Sequence, residues 1–326
     1  NYAITYQDAF TINPRTVCVT VAGESTYGDN PLTDGKVYKT IAFEQAGADG
    51  VAAQEGLALG QTIDKSQVTV QNSITPTTDA GTYGIDGIKV QDGNGFQNKN
   101  YNIVLEKGSY TVTKRTVRAT ASGSQVYGES APTDGEAYDI AFATAGGNGV
   151  NAHEGLVNGQ TIDKSQVTVQ NSVGQTNDVG TYTTSQSDVG EEIAYGADNP
   201  ERVDGKDQGI YGLLVANGNG FQNKNYNIVL DQGSYTVTKR PVTFLTTGSR
   251  TYGEENTAVK DYTIQQMNTA AKEGLTGRNA GMVTAGSTTV DNSTLASTDV
   301  GKYGTESDVA QQVLNIDPAV QAILGD

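Results

Sequence analysis

The sequence predicts a mainly β chain: tandem β-rich modules joined end to end as a semi-rigid rod. Three observations predict it. Residues 93–114, GNGFQNKNYNIVLEKGSYTVTK, return almost unchanged at 218–239 as GNGFQNKNYNIVLDQGSYTVTK. Apolar and polar residues alternate at period two through much of the chain. Glycine, with 40 occurrences in 326 residues, punctuates these runs, as at 47–50 and 146–149.

The copies align in order. Tyr27-Gly28-Asp29 matches Tyr127-Gly128-Glu129 and Tyr252-Gly253-Glu254. Glu55-Gly56-Leu57 matches Glu154-Gly155-Leu156 and Glu273-Gly274-Leu275. Asp79 to Tyr83 matches Asp178 to Tyr182 and Asp299 to Tyr303. Repeat one therefore covers 16–115, repeat two 116–240, and repeat three 241–326, incomplete at its C-terminus. Residues 1–15, NYAITYQDAFTINPR, read as the closing hairpin of a preceding repeat, so an excised piece of a longer protein is expected. Tyr182 lies 99 residues after Tyr83, but Tyr226 lies 125 after Tyr101, which places an insertion at about 183–209 of repeat two.

Each module is expected to be β-grasp-like, with four to five strands and at most one short helix. Val17, Val19 and Val21 alternate with Thr16, Cys18 and Thr20 as a half-buried strand, and Val68 and Val70 do the same. A short turn or helix fits 51–59 and 150–157. Tyr101, Ile103 and Leu105 share one parity and Tyr110 and Val112 the other, so Glu106 to Ser109 reads as a hairpin loop. Repeat one passes into repeat two through Thr113-Lys114-Arg115-Thr116 with no flexible linker, which predicts stiffness. Each module then adds about 30–40 Å, and three reach on the order of 100 Å. Near the end, 308–314 and 319–324 are helix candidates, with Pro318 suited to a first turn.

Composition excludes several classes. The net charge is −16, with Lys and Arg scattered, which argues against nucleic acid or an anionic membrane. No stretch approaches the ~20 apolar residues of a membrane span. Cys18 is the single cysteine, and Arg118 and Thr243 stand at its position in the other repeats, which speaks against a redox or metal role.

The order Thr113-Lys114-Arg115-Thr116-Val117, Tyr127-Gly128, Glu154-Gly155-Leu156, Gly159-Gln160-Thr161, Val179-Gly180-Thr181-Tyr182, Asn225-Tyr226-Asn227-Ile228 and Tyr235 to Lys239 resembles the YDG/MBG repeat domains of large bacterial surface and secreted adhesins, including filamentous-haemagglutinin-like exoproteins. The likeness covers essentially the whole chain. It implies an extracellular, secreted or cell-attached stalk that supports cell adhesion or biofilm formation, a monomeric segment of a longer chain, with no catalytic residues. The insertion after Tyr182 and the non-repetitive end at 317–326 depart from the simplest form.

No catalytic, cofactor-binding or metal residues are expected, and each candidate has a plain alternative. His153 is the only histidine, and Gln54 takes its place in repeat one. With one cysteine besides, neither a zinc site nor a His-activated nucleophile is expected. Asp29 and Asp34, echoed by Glu129 and Asp134, lie near turns and suit capping better than glycosidase chemistry. Calcium is the cofactor left open, at Asp92-Gly93-Asn94-Gly95 and at Asp198, Asp204 and Asp207, although Asn-Gly pairs also make tight turns. The recurrent Tyr27, Tyr83, Tyr101 and Tyr110 invite stacking on host or matrix glycans or mucin, but fit core positions with bonded hydroxyls better. A ligand surface, if one exists, belongs in the 183–209 insertion.

Overall fold

The computed structural model describes residues 1–326 except 6, 8, 59, 186–208, 256–261, 268–270, 277–278, 293–296, 298, 303–311 and 325–326. The chain is mainly β, as expected. The residues of repeat one form β1 (Arg15–Thr26), β2 (Thr40–Phe43), β3 (Val68–Gln71), β4 (Gly81–Gly84), β5 (Gly87–Val90) and β6 (Tyr101–Thr113). Those of repeat two form β7 (Arg115–Val126), β8 (Asp139–Phe142), β9 (Val167–Asn171), β10 (Gly180–Ser185), β11 (Ile210–Val215) and β12 (Tyr226–Thr238). Repeat three contributes β13 (Thr243–Gly248), β14 (Tyr262–Met267), β15 (Thr288–Asn292), β16 (Gln312–Ile316) and α1 (Pro318–Leu324).

Two four-stranded sheets have the same plan. One has the order β2-β1-β6-β4 and the other β8-β7-β12-β10. In each, the two long central strands run parallel and the short outer strands are antiparallel to them. Two-stranded sheets β3-β5 and β9-β11 accompany them. Period-two alternation buries one face. Val17, Val19 and Val21 of β1, Val68 and Val70 of β3 and Tyr110 and Val112 of β6 belong to one buried apolar cluster. Each such side chain contributes roughly 1.5–3 kcal/mol. Glycine permits the closest approaches: a Cβ on Gly23 would lie 2.6 Å from the Tyr38 ring.

Residues 106–109 are not a hairpin loop. Strand β6 runs straight through them for 13 residues beside the 12 of β1. Val19 faces Leu105 and Thr20 faces Lys107, so Glu106 is the extra residue of a β-bulge. The bulge flips the parity of the strand, which returns Tyr110 and Val112 to the face that Tyr101, Ile103 and Leu105 occupy. The same bulge recurs at Asp231 in β12. A turn there would leave half of the central strand without its parallel partner.

Residues 51–58 form turns and bridges rather than a helix, because Gly56 at φ +79° donates to Thr16 O and Leu57 donates to Glu44 O. Residue 59 lies outside the described residues. The 308–314 helix candidate is corrected as well: Gln312, Val313 and Leu314 lie in β16, paired with β15, while 308–311 fall outside the described residues. Helix α1 does form, with Pro318 in its first turn. Lys114 alone separates β6 from β7.

Candidate functional site

Among the described residues, a set of charged contacts lies where the residues of repeat one meet those of repeat two. Arg115 opens β7 and is only 2% exposed. Its Nη1 donates to Tyr27 O (3.1 Å) and to Asp29 Oδ1 (2.8 Å). Its Nε donates to Gly155 O (3.0 Å), and Nη2 donates to Ala152 O (3.0 Å) and Glu154 O (3.1 Å). The planar guanidinium suits this fan of acceptors, since its donors point in fixed directions. The other Asp29 oxygen lies 2.6 Å from His153 Nδ1. One carboxylate of repeat one thus holds the arginine at the repeat boundary and a histidine of repeat two.

Residues just before and at the start of β12 seal the same seam. Asn225 is 2% exposed; its Nδ2 donates to Asp79 Oδ1 (2.8 Å) and its Oδ1 accepts from Ala80 N (2.8 Å). Lys224 pairs with Asp79 at 2.5 Å. Hydrogen bonds from Lys224 and Asn225 hold the Asp79 carboxyl below its ordinary value. The Tyr27 and Tyr226 rings meet edge to face at 5.3 Å. Gln160 joins them: its Nε2 donates to the Tyr27 hydroxyl (3.0 Å), and its Oε1 accepts from the Tyr226 hydroxyl.

Between repeats two and three the pattern is thinner. Arg240 is only half-buried; its Nε donates to Gly274 O (2.8 Å), Nη1 to Tyr127 O (3.3 Å), and Nη2 to Ala271 O (3.2 Å) and Glu273 O (3.3 Å). Lys272 takes the place of His153 and pairs with Glu129 at 3.2 Å.

The remaining candidates are held by local structure. Asp34 and Asp134 cap 3-10 turns, accepting from Lys36 N (2.9 Å) and Glu136 N (3.0 Å). Asp92 Oδ1 accepts from Asn98 N at 2.7 Å, and Asn217 makes the same bond to Asn223 N at 2.8 Å in repeat two. An uncharged residue serves there equally well, so this loop is built as a turn, with Asn94 at φ +50°. Asp198, Asp204 and Asp207, and most of the 183–209 insertion, lie outside the described residues. Tyr27 and Tyr110 are 3% and 0% exposed. The hydroxyl of Tyr110 accepts from Leu32 N (3.1 Å), and those of Tyr83 and Tyr101 donate to Asp79 O (2.7 Å) and Gln61 Oε1 (2.5 Å).

Among the described residues, Cys18, Glu44 and Glu106 place one sulfur and two carboxylate oxygens within 4.8 Å of one another, the set best able to hold a metal ion. Without an ion, burial, then the Glu44, Glu106 and Glu55 carboxylates, push the thiol up. Repeat two builds the same corner differently. There Arg118 pairs with Glu154 (3.1 Å) and Asp231 (2.7 Å), and its hydrogen bond holds the Glu154 carboxyl low.

Sequence reading missed Arg115, Asp29 and His153 as one group, because 124 residues separate the last two. The available signal was the arginine standing immediately before each of the three repeats, Arg15, Arg115 and Arg240. No family model matches the chain, and neither does any curated protein or solved structure.

Proposed function

We propose that the chain is a non-enzymatic, extracellular repeat segment of a bacterial adhesin, a stiff spacer of β-grasp-like modules that holds a distal binding region away from the cell. The observation that carries this reading is Arg115: a guanidinium that is almost wholly buried where two repeats meet, bonded to carbonyls of both. A charge buried with all its partners fixed resists bending at that point, because any opening strands the charge. The single residue between β6 and β7 acts in the same direction. The carboxylates that could serve acid–base chemistry are engaged as caps and as junction partners.

Glycan or mucin binding is the competing reading. The recurrent tyrosines give it little support in repeat one, since Tyr27, Tyr83, Tyr101 and Tyr110 engage their hydroxyls with backbone and glutamine partners. Small-angle X-ray scattering tests the spacer. A rod on the order of 100 Å has a radius of gyration of roughly 30 Å, against about 20 Å for a compact globule of this length. The smaller value defeats the reading.

A further inference from the structure

Tension on a chain travels along its backbone, and the order of the strands decides what resists it. In repeat one the load enters at Arg15, the first residue of β1, and leaves at Thr113, the last residue of the closing strand β6. These two strands are hydrogen-bonded neighbours and run parallel. Entry and exit therefore lie at opposite ends of one ladder, and tension slides β1 and β6 past each other lengthwise. The ladder pairs all 12 residues of β1, from Arg15 with Tyr101 to Thr26 with Thr113, and Tyr27 N donates one bond more to Thr113 O (2.9 Å). The bonds of a parallel pair are evenly spaced along it, so sliding loads them together rather than one at a time.

The ladder is protected against fraying. Its strands are the inner two of their sheet, with β2 beside β1 and β4 beside β6. Val17, Val19, Val21, Tyr110 and Val112 fix its inner face in the core. The entry residue is held by its own side chain: Arg15 donates to Ala53 O (3.0 Å) and Gly56 O (2.8 Å), which ties down the first rung where tension arrives.

Repeat two has the same arrangement. Load crosses from β6 to β7 through Lys114 alone, enters at Arg115 and leaves at Thr238 of the closing strand β12, again the parallel neighbour. All 12 residues of β7 are paired, and Tyr127 N donates to Thr238 O (2.9 Å). Arg115 is held by Ala152 O, Glu154 O and Gly155 O. In both repeats the chain between the two long strands, 27–100 and 127–225, is bypassed while the ladder holds. The insertion at 183–209 falls in the bypassed part, so its length can change without lengthening the loaded path.

We propose that each of the first two repeats is a tensile clamp: β1 with β6, and β7 with β12, lock in shear when the chain is stretched, so the segment bears pulling force. The clamp rests on the spacer reading for its purpose and on strand order for its mechanism. Strength under load is a matter of unfolding rate rather than of equilibrium stability, so one fold is strong along one direction of pull and weak along another.

The test compares two directions of pull on the same ladder. In the full chain carrying Cys18→Ser, optical-tweezer handles are attached through Asn13→Cys and Lys114→Cys, which shears β1 against β6, or through Asn30→Cys and Lys114→Cys, which peels β6 away from its end. All three positions are exposed, and each direction releases about 300 Å of chain. At one loading rate, shear is expected to need at least about threefold the peeling force. Lys114→Cys with Lys239→Cys, against Ser130→Cys with Lys239→Cys, should give the same ratio in repeat two. Equal forces in the two directions, in either repeat, overturn the proposal. Scattering decides the spacer separately: a compact chain that keeps the ratio retains the clamp and loses the spacer, and an extended chain without the ratio does the reverse.

Discussion

The two places where repeats meet differ in one respect that explains the rest. At both, the arginine at the repeat boundary reaches back to the tyrosine carbonyl of the earlier repeat, and the residue before the Glu-Gly pair, His153 or Lys272, meets an acid. Only the first is also covered by Lys224, Asn225 and Tyr226, residues that lead into β12. Arg115 is accordingly almost wholly buried, and Arg240 is not. A closing strand therefore does two jobs: it finishes the sheet of its own repeat, and it shuts water out of the seam with the repeat before. The seam and the sheet are one cooperative unit.

The largest test of that difference is removal of the two arginines. Arg115→Ala leaves four carbonyls and Asp29 without their donor in a buried place, and should cost roughly 3–5 kcal/mol. Arg240→Ala strands similar carbonyls where water can reach them, and should cost about 1–2 kcal/mol. Thermal unfolding of the two variants measures the gap. Equal losses would mean that the cover from β12 adds nothing to the seam.

Glycine at the seam gives a smaller, sharper contrast. Gly28 has φ +87°, and a Cβ there would lie 2.5 Å from Val157 Cγ2, across the seam. Gly253, at the same position of repeat three, has φ +93° and nothing within 4 Å. Both alanine variants carry the left-handed strain, about 1 kcal/mol, but only Gly28→Ala adds the clash, for a total of about 2–3 kcal/mol. Combining Gly28→Ala with Val157→Ala should recover the clash component in a urea titration. No recovery would place Val157 away from Gly28 in solution.

Much of this was legible in the chain. Repeats fixed the equivalence of strands, and period two placed Val17, Val19, Val21, Val68 and Val70 on the buried face. The parity change between Leu105 and Tyr110 was visible too, but a bulge and a hairpin leave the same mark. Choosing between them needs the strand alongside, and β1 is 80 to 90 residues away in sequence. In the sequence Arg115 stands beside Lys114 with no local sign of burial. Its burial follows from acceptors at 27, 29, 152, 154 and 155, and no local pattern brings those together. Asn225 gives the same lesson: its counterpart Asn100 is exposed, so residue type alone cannot tell a sealed seam from an open end.

The smallest effect expected is a pH dependence confined to the covered seam. Asp79 is held low in the folded chain by Lys224 and Asn225, so it takes up its proton at a lower pH folded than unfolded. A depressed carboxyl stabilises the fold above its unfolded value, near 3.9, and that stabilisation fades as pH falls through the folded value. Asp79 is partly exposed, and solvent screens the pair, so the change is modest. The acid limb of the melting curve, followed from about pH 5 downward, should be shallower for Asp79→Asn than for the parent. Asn at 79 can still accept from Asn225 but cannot pair with Lys224, so the variant isolates the charge from the hydrogen bond. An unchanged acid limb would show that the ion pair with Lys224 contributes nothing, and that Asn225 and Tyr226 alone separate the first seam from the second.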